Sequence, residues 1–145
     1  MTNTVLTADA VHIGVTASSR EEAVRLCGSY LLELGAIEPP YVDAMWEREL
    51  IMSSYVGERV AIPHGTDASR AYVRRAQLVV VRFAAPVDWD GESVEMAVGI
   101  ASAGHEHVEV LGSLAEALLD EHIRTRLFST TEPQEIADLL TKAFG

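Results

Sequence analysis

In Ile62-Pro63-His64-Gly65, a histidine stands directly behind a proline and ahead of a glycine, and this is the residue best placed to do covalent chemistry. A neutral imidazole is a nucleophile when one ring nitrogen attacks and a hydrogen bond to the other fixes the tautomer. Pro63 cannot donate to a sheet ladder and drives Ile62 into an extended conformation, so a strand entering it must stop there. His64 is then expected at a strand end, where rigid α/β scaffolds present side chains to ligands. Gly65 permits close backbone approach and φ values denied to other residues. The Gly65 and Thr66 N–H groups, with the Thr66 hydroxyl, form a candidate anion nest. Of the other histidines, His12 and His122 read as surface or core-edge residues. His64, His105 and His107 could together offer three imidazoles to a metal ion. No paired-cysteine or His-Glu-x-x-His spacing accompanies them, so a metal site is the weakest reading, and neither a metal nor a cofactor is expected.

Charge narrows the partners. Twenty-two acidic against eleven basic residues give a net charge of −11, which repels nucleic-acid backbones and anionic lipid surfaces. Nucleic acid is therefore excluded as a partner. The basic charge is uneven: Arg48, Arg59, Arg70, Arg74 and Arg75 fall within 28 residues, a segment that could receive an anion. The bland alternative is arginines solvated on loops and helices.

A chain of 145 residues, 48% of them hydrophobic, can bury a core as one domain over residues 1–145. No apolar run reaches the roughly 18 residues of a membrane-spanning helix, and the start lacks the basic end and apolar run of a secretory signal. The expected compartment is the cytoplasm. The one cysteine, Cys27, lies in an apolar helical pattern and reads as a core residue.

The elements that must position His64 follow from periodicity and punctuation. Ser18 and Ser19 precede Glu21 and Glu22 at capping-box spacing, and Ala23, Val24, Cys27, Tyr30, Leu31 and Leu34 recur at helical intervals up to Gly35. A second helix starts at or just after Pro40, carries Tyr41, Val42, Met45 and Trp46, and places Arg48 near its end. Residues 59–62 read as a short strand, and 76–83, with Leu78-Val79-Val80-Val81, as a strand covered on both faces. Asp88-Trp89-Asp90-Gly91 reads as a turn, and Val94 to Ala103 as a strand closed by Gly104. Two further helices are expected, from about Glu106 to Leu119 and after Thr131, the last with Ile136, Leu139, Leu140 and Phe144 on one face. Helices at both ends around grouped strands indicate an α/β fold, a single-domain sandwich of a small mixed β-sheet flanked by helices.

The segment Glu49 to Gly65, E-LIMSSY-VG-ER-VAIPHG, resembles the signature around the phosphorylated histidine of mannitol/fructose-type enzyme IIA (EIIA type-2) domains of the phosphoenolpyruvate-dependent sugar phosphotransferase system. That pattern is an acidic or amide residue, six positions, an apolar and a small residue, two positions, then apolar-Ala-apolar-Pro-His-small. Every specified position is met over these 17 residues. The likeness extends to Tyr41-Val42-Asp43-Ala44-Met45 with Arg48-Glu49, to Pro86-Val87-Asp88-Trp89, and to Gly99-Ile100-Ala101 through Glu106-His107-Val108, from about Leu6 to Leu140.

The resemblance implies a phosphoryl relay. His64 would accept the group on Nε2 from the histidine-containing phosphocarrier protein and pass it to the enzyme IIB component, which works with membrane enzyme IIC. Arg48, 16 residues before His64, matches the family's phosphate-facing arginine, and a guanidinium fork suits a phosphoryl group. His107 matches the second active-site histidine of mannitol-type members, in a supporting role. Gly57-Glu58-Arg59, Glu106-His107-Val108 and Ser113-Leu114 lean towards mannitol, Pro86-Val87-Asp88-Trp89 towards fructose. The alternative is a regulatory module of the same fold, phosphorylated at the same residue and reporting nutrient state.

Overall fold

The computed structural model describes residues 6–102 and 106–142, without the side chains of 106–111, 113, 141 and 142. A 3-10 turn, Ala8–Ala10, leads into β1 (Val11–Val15), followed by α1 (Arg20–Glu33) and α2 (Pro40–Ile51). The strands β2 (Tyr55–Gly57) and β3 (Val60–Ala61) come next, then a 3-10 segment, Asp67–Tyr72. The long strands β4 (Gln77–Trp89) and β5 (Glu92–Ala101) precede α3 (Glu106–Leu119), α4 (Glu121–Ser129) and α5 (Pro133–Lys142).

The five strands form one mixed sheet in the order β1-β4-β5-β3-β2. β4 and β5 are an antiparallel hairpin at its centre, β1 runs parallel to β4, β3 runs parallel to β5, and β2 closes the far edge antiparallel to β3. Opposite faces of β4 are covered by different helices. On one face, Cys27 of α1 lies against Gly99 and its cross-strand partner Val79. On the other, Arg82 donates from Nη1 to the Leu127 carbonyl of α4 at 2.9 Å. This is why Leu78 to Val81 are all buried and read as an unbroken apolar run. The helix-flanked mixed sheet is the architecture that the sequence pattern indicates.

Local signals explain most boundaries. Ser19 caps α1, its hydroxyl accepting from the Glu22 N–H at 3.1 Å, while Glu22 Oε1 accepts from the Ser18 N–H at 2.5 Å; the return arm of the capping box thus lands one residue earlier than the usual N-cap. Pro40 opens α2 at the first turn, where its missing N–H costs nothing. Ser102 follows the end of β5, and the expected extension to Ala103 and closure at Gly104 fall outside the described residues, as does Phe144.

Three elements depart from expectation. β1 and β2, of five and three residues, are additional strands, and α4 is a helix between the two expected after β5. The turn assigned to 88–91 is narrower. Asp88 pairs with Ser93 and Trp89 with Glu92, so only Asp90 and Gly91, with φ of 56° and 95°, leave the ladder. Two left-handed residues match the twist of a tight hairpin. Between Arg82↔Met96 and Val87↔Val94 the register slips, and Pro86 sits in that irregular stretch, where its missing N–H breaks no ladder bond.

Close approach of α1 to the sheet depends on Gly99. A Cβ there would lie 2.8 Å from Cys27 Cβ and 2.9 Å from Val79 Cγ2. Gly99→Ala should destabilise the fold by about 1–3 kcal/mol through overpacking, seen as a lower urea midpoint at unchanged slope; an unchanged midpoint would show that α1 can retreat at no cost.

Candidate functional site

Pro63 and His64 extend the line of β3 beyond its last ladder residue. The Pro63 carbonyl accepts from the Ile100 N–H at 2.9 Å, and His64 forms an isolated parallel bridge with Ile100. The imidazole is therefore mounted on the rigid centre of the sheet, with 8% of the residue open to solvent. Its Nδ1 lies 2.8 Å from the Ile62 carbonyl oxygen. A carbonyl only accepts, so Nδ1 carries the proton and Nε2 is the nitrogen with the lone pair.

Burial pushes the His64 pKa below its ordinary 6.5. The Ile62 carbonyl opposes this by favouring the protonated ring; the charge of Arg48 lowers the pKa further, and Glu49 and Asp67 raise it. Burial dominates, so the ring is neutral at neutral pH and Nε2 is competent to attack.

Arg48 is half-buried in the last turn of α2, and its Nη1 donates to the Met52 carbonyl at 2.7 Å. Of the five arginines clustered in sequence, it is the one whose charge acts on His64. Arg59 pairs with Glu95 at 3.0 Å and lies over the Phe128 ring at 4.3 Å. Arg70 pairs with Asp67 at 3.2 Å, and Arg75 holds Gln77 and the Leu34 carbonyl. Of the five, then, Arg48 acts on the site, Arg59, Arg70 and Arg75 are occupied in side-chain contacts, and Arg74 gives its backbone N–H to the Ala36 carbonyl at 2.8 Å.

Tyr41, buried on α2, is a site-building residue that sequence reasoning placed only in a helix. Its hydroxyl donates to the Ile100 carbonyl at 2.9 Å and accepts from the Gly65 N–H at 2.9 Å. One phenol therefore joins the residue behind His64 to the strand beside it. Gly65 needs no left-handed φ; its requirement is space, since a Cβ would lie 2.5 Å from a Tyr41 ring carbon. The Gly65 N–H, committed to Tyr41, is not offered to an anion, which removes one donor from the expected nest. Thr66 has an extended backbone, and its carbonyl accepts from the Ser69 N–H and hydroxyl at 3.1 and 2.6 Å.

Glu49, the first position of the signature, is 2% exposed. Its carboxylate accepts from the Ser54 N–H (2.9 Å), the Ser54 hydroxyl (2.6 Å) and the Trp89 indole N–H (2.8 Å). Its acidic side chain in a motif beside Arg48 was the available signal.

His12 stacks on Tyr30 with ring centroids 3.7 Å apart, a core-edge contact. Cys27 is fully buried, its thiol pushed up to about 12. The backbone of His107 lies in α3, but its side chain is outside the described residues, and His105 is outside them altogether. Among the described residues no group of three histidine, cysteine or acidic side chains could hold a metal ion, and no helix is long and apolar enough to cross a membrane.

Known proteins resemble this chain in sequence and fold. Residues 4–143 match the family model described as phosphoenolpyruvate-dependent sugar phosphotransferase system, EIIA 2. The chain is 39% identical over 140 residues, 97% of each chain, to the mannitol-specific phosphotransferase enzyme IIA component of Halalkalibacterium halodurans. It is 37% identical over 138 residues to the mannitol-specific EIICBA component of Escherichia coli, matching 93% of this chain and 22% of that longer protein. Among solved structures it resembles enzyme IIA in the complex of IIAMTL with phosphorylated enzyme IIBMTL from Escherichia coli, with a TM-score of 0.87 and 35% identity over 94% of this chain and 97% of that one.

Two measurements check the site. In NMR titration the His64 midpoint should fall below 6.5, and a midpoint at or above that value contradicts its burial. Because the folded ring resists protonation more than the unfolded one, this residue's contribution to stability is present above the unfolded value and shrinks as pH falls below it. Tyr41→Phe leaves the part-buried Gly65 N–H and the buried Ile100 carbonyl without their Tyr41 partner and should cost about 1–3 kcal/mol. A calorimetric transition matching the parent's would refute the bridge.

Proposed function

The chain belongs to the phosphotransferase-system EIIA type-2 family, and from that premise we propose that it carries a phosphoryl group on His64, received from the histidine-containing phosphocarrier protein and delivered to a mannitol-type enzyme IIB component. The observation that carries the assignment is the Nδ1–H bond to the Ile62 carbonyl, because it leaves Nε2 as the attacking atom. As Nε2 forms its bond to phosphorus, the donor's phosphorus–nitrogen bond breaks and its electron pair returns to the donor imidazole. Phosphorylated His64 keeps the Nδ1 proton, and the Ile62 carbonyl stabilises the positive ring. The same steps in reverse roles release the group to enzyme IIB.

Little covalent chemistry beyond in-line attack is required, so positioning and charge neutralisation dominate. Arg48 is assigned to neutralise the equatorial oxygens. One of its five N–H donors holds Met52, which fixes the guanidinium while the rest of the fork serves the phosphoryl group. His107 is assigned a supporting role from the family motif, and Thr66 remains a candidate backbone and hydroxyl donor without the Gly65 amide. The mannitol preference rests on the names of the relatives and on the Glu106-His107-Val108 motif, since an A component never touches the sugar. Enzyme IIC is the indirect membrane partner.

Incubation with phosphoenolpyruvate, the general phosphotransferase proteins and candidate B components should label this protein with acid-labile, base-stable phosphate and then label a mannitol-type IIB. Preferential labelling of a fructose-type IIB would overturn the sugar assignment, and labelling of this protein with no B component accepting would favour the regulatory alternative. His64→Ala should abolish uptake of label; uptake at the parent's level would move the acceptor elsewhere. Arg48→Ala should slow transfer on the order of 10²-fold, the usual cost of losing one charge-stabilising donor, and a loss under about threefold would remove it from the clamp.

A further inference from the structure

Arg48 and Glu49 are consecutive in the last turn of α2, so their side chains leave the helix about 100° apart. One acts on the site and the other turns inward. A carboxylate at 2% exposure is costly unless satisfied, and Glu49 is satisfied by Ser54 N–H, Ser54 hydroxyl and Trp89 indole N–H, with Arg20 Nη1 at 4.0 Å. Burying an ion pair is a poor way to gain stability, since an apolar side chain of similar volume often serves as well. What this carboxylate supplies is a fixed position for the segment that leaves α2.

That segment touches both halves of the site. Its first residue, Met52, gives its carbonyl to Arg48 at 2.7 Å, and its last, Ser54, is held by Glu49 through two bonds. The Ser54 carbonyl in turn accepts from the Ile62 N–H at 3.0 Å, and the Ile62 carbonyl accepts from His64 Nδ1 at 2.8 Å. A continuous path of hydrogen bonds therefore runs from the Trp89 indole through Glu49, Ser54 and Ile62 to the imidazole, with Arg48 attached at Met52.

We propose that Glu49 is a positioning residue whose buried carboxylate, by fixing Ser54, holds the Arg48 guanidinium and the His64 imidazole in register for phosphoryl transfer. The proposal rests on the phosphocarrier reading for its consequence in rate, though not for its consequence in tautomer. Glutamine at this position can preserve every bond: its carbonyl accepts from the two N–H groups, and its amide donates to the Ser54 hydroxyl, which rotates to accept. Alanine preserves none of them.

Transfer from the phosphorylated phosphocarrier protein should be compared for the parent, Glu49→Gln and Glu49→Ala, together with nitrogen NMR of the His64 ring. Glu49→Ala should be slower by on the order of 10- to 10²-fold, the scale of a small displacement of reacting groups, and should show His64 as a mixture of tautomers. Glu49→Gln should stay within about threefold of the parent and keep Nδ1 protonated, because the bonds rather than the charge set the geometry. The proposal is overturned if folded Glu49→Ala matches the parent in rate and tautomer, or if Glu49→Gln loses as much as Glu49→Ala. Should Glu49→Ala fail to fold, Ser54→Ala removes one of the three bonds alone; a rate reduced more than about threefold supports the proposal, and the parent's rate overturns it. If the parent itself takes up no label, the phosphocarrier reading fails, and the NMR comparison still decides the role of Glu49.

Discussion

The site depends on one hydrogen bond, from Nδ1 of His64 to the carbonyl two residues earlier. An imidazole has two equivalent-looking nitrogens, and unrestrained it would present either to a phosphoryl group. The bond breaks that symmetry with backbone alone, using the Ile62 carbonyl, one residue past the last ladder residue of β3. Everything nearby keeps this arrangement in place: Pro63 and Ile100 dock the strand end on β5, and Tyr41 fixes the residue that follows. The tautomer is thus set by folding, before any partner arrives.

Electrostatics tune that arrangement in opposing directions. Burial and Arg48 favour the neutral ring, while the Ile62 carbonyl, Glu49 and Asp67 favour the protonated one. Burial is the largest of these influences, and the neutral ring it favours is the form that can attack. In this strongly acidic chain the half-buried Arg48 guanidinium acts on the ring, while Arg25, Arg59, Arg70 and Arg126 pair with carboxylates elsewhere.

Much of this was legible in sequence where one physical cause dominates. Serine capping and 3.6-residue periodicity mark α1, Pro40 marks the start of α2, and a run of branched residues covered on both sides marks β4. Pro63-His64-Gly65 marks the candidate site. What stayed hidden is decided by contacts between distant residues. β2 has three residues and β1 is interrupted by Gly14 at φ 79°, too short and irregular for alternation to register. α4 carries few apolar residues, and its clearest sign is the Asp120 side chain accepting from the Ile123 N–H at 3.1 Å. The Tyr41 and Glu49 bonds span 59 and 40 residues to Ile100 and Trp89, and no local pattern announces a partner so far away.

The Tyr41 phenol has a wider consequence for a relay. It gives to one strand and receives from the loop behind the histidine, so the two cannot drift apart without breaking at least one of these bonds. A station so braced has no need to reshape itself for each neighbour it serves. Loading and unloading can then use one unchanged geometry, and the direction of traffic is left to the relative phosphoryl potentials of the proteins on either side.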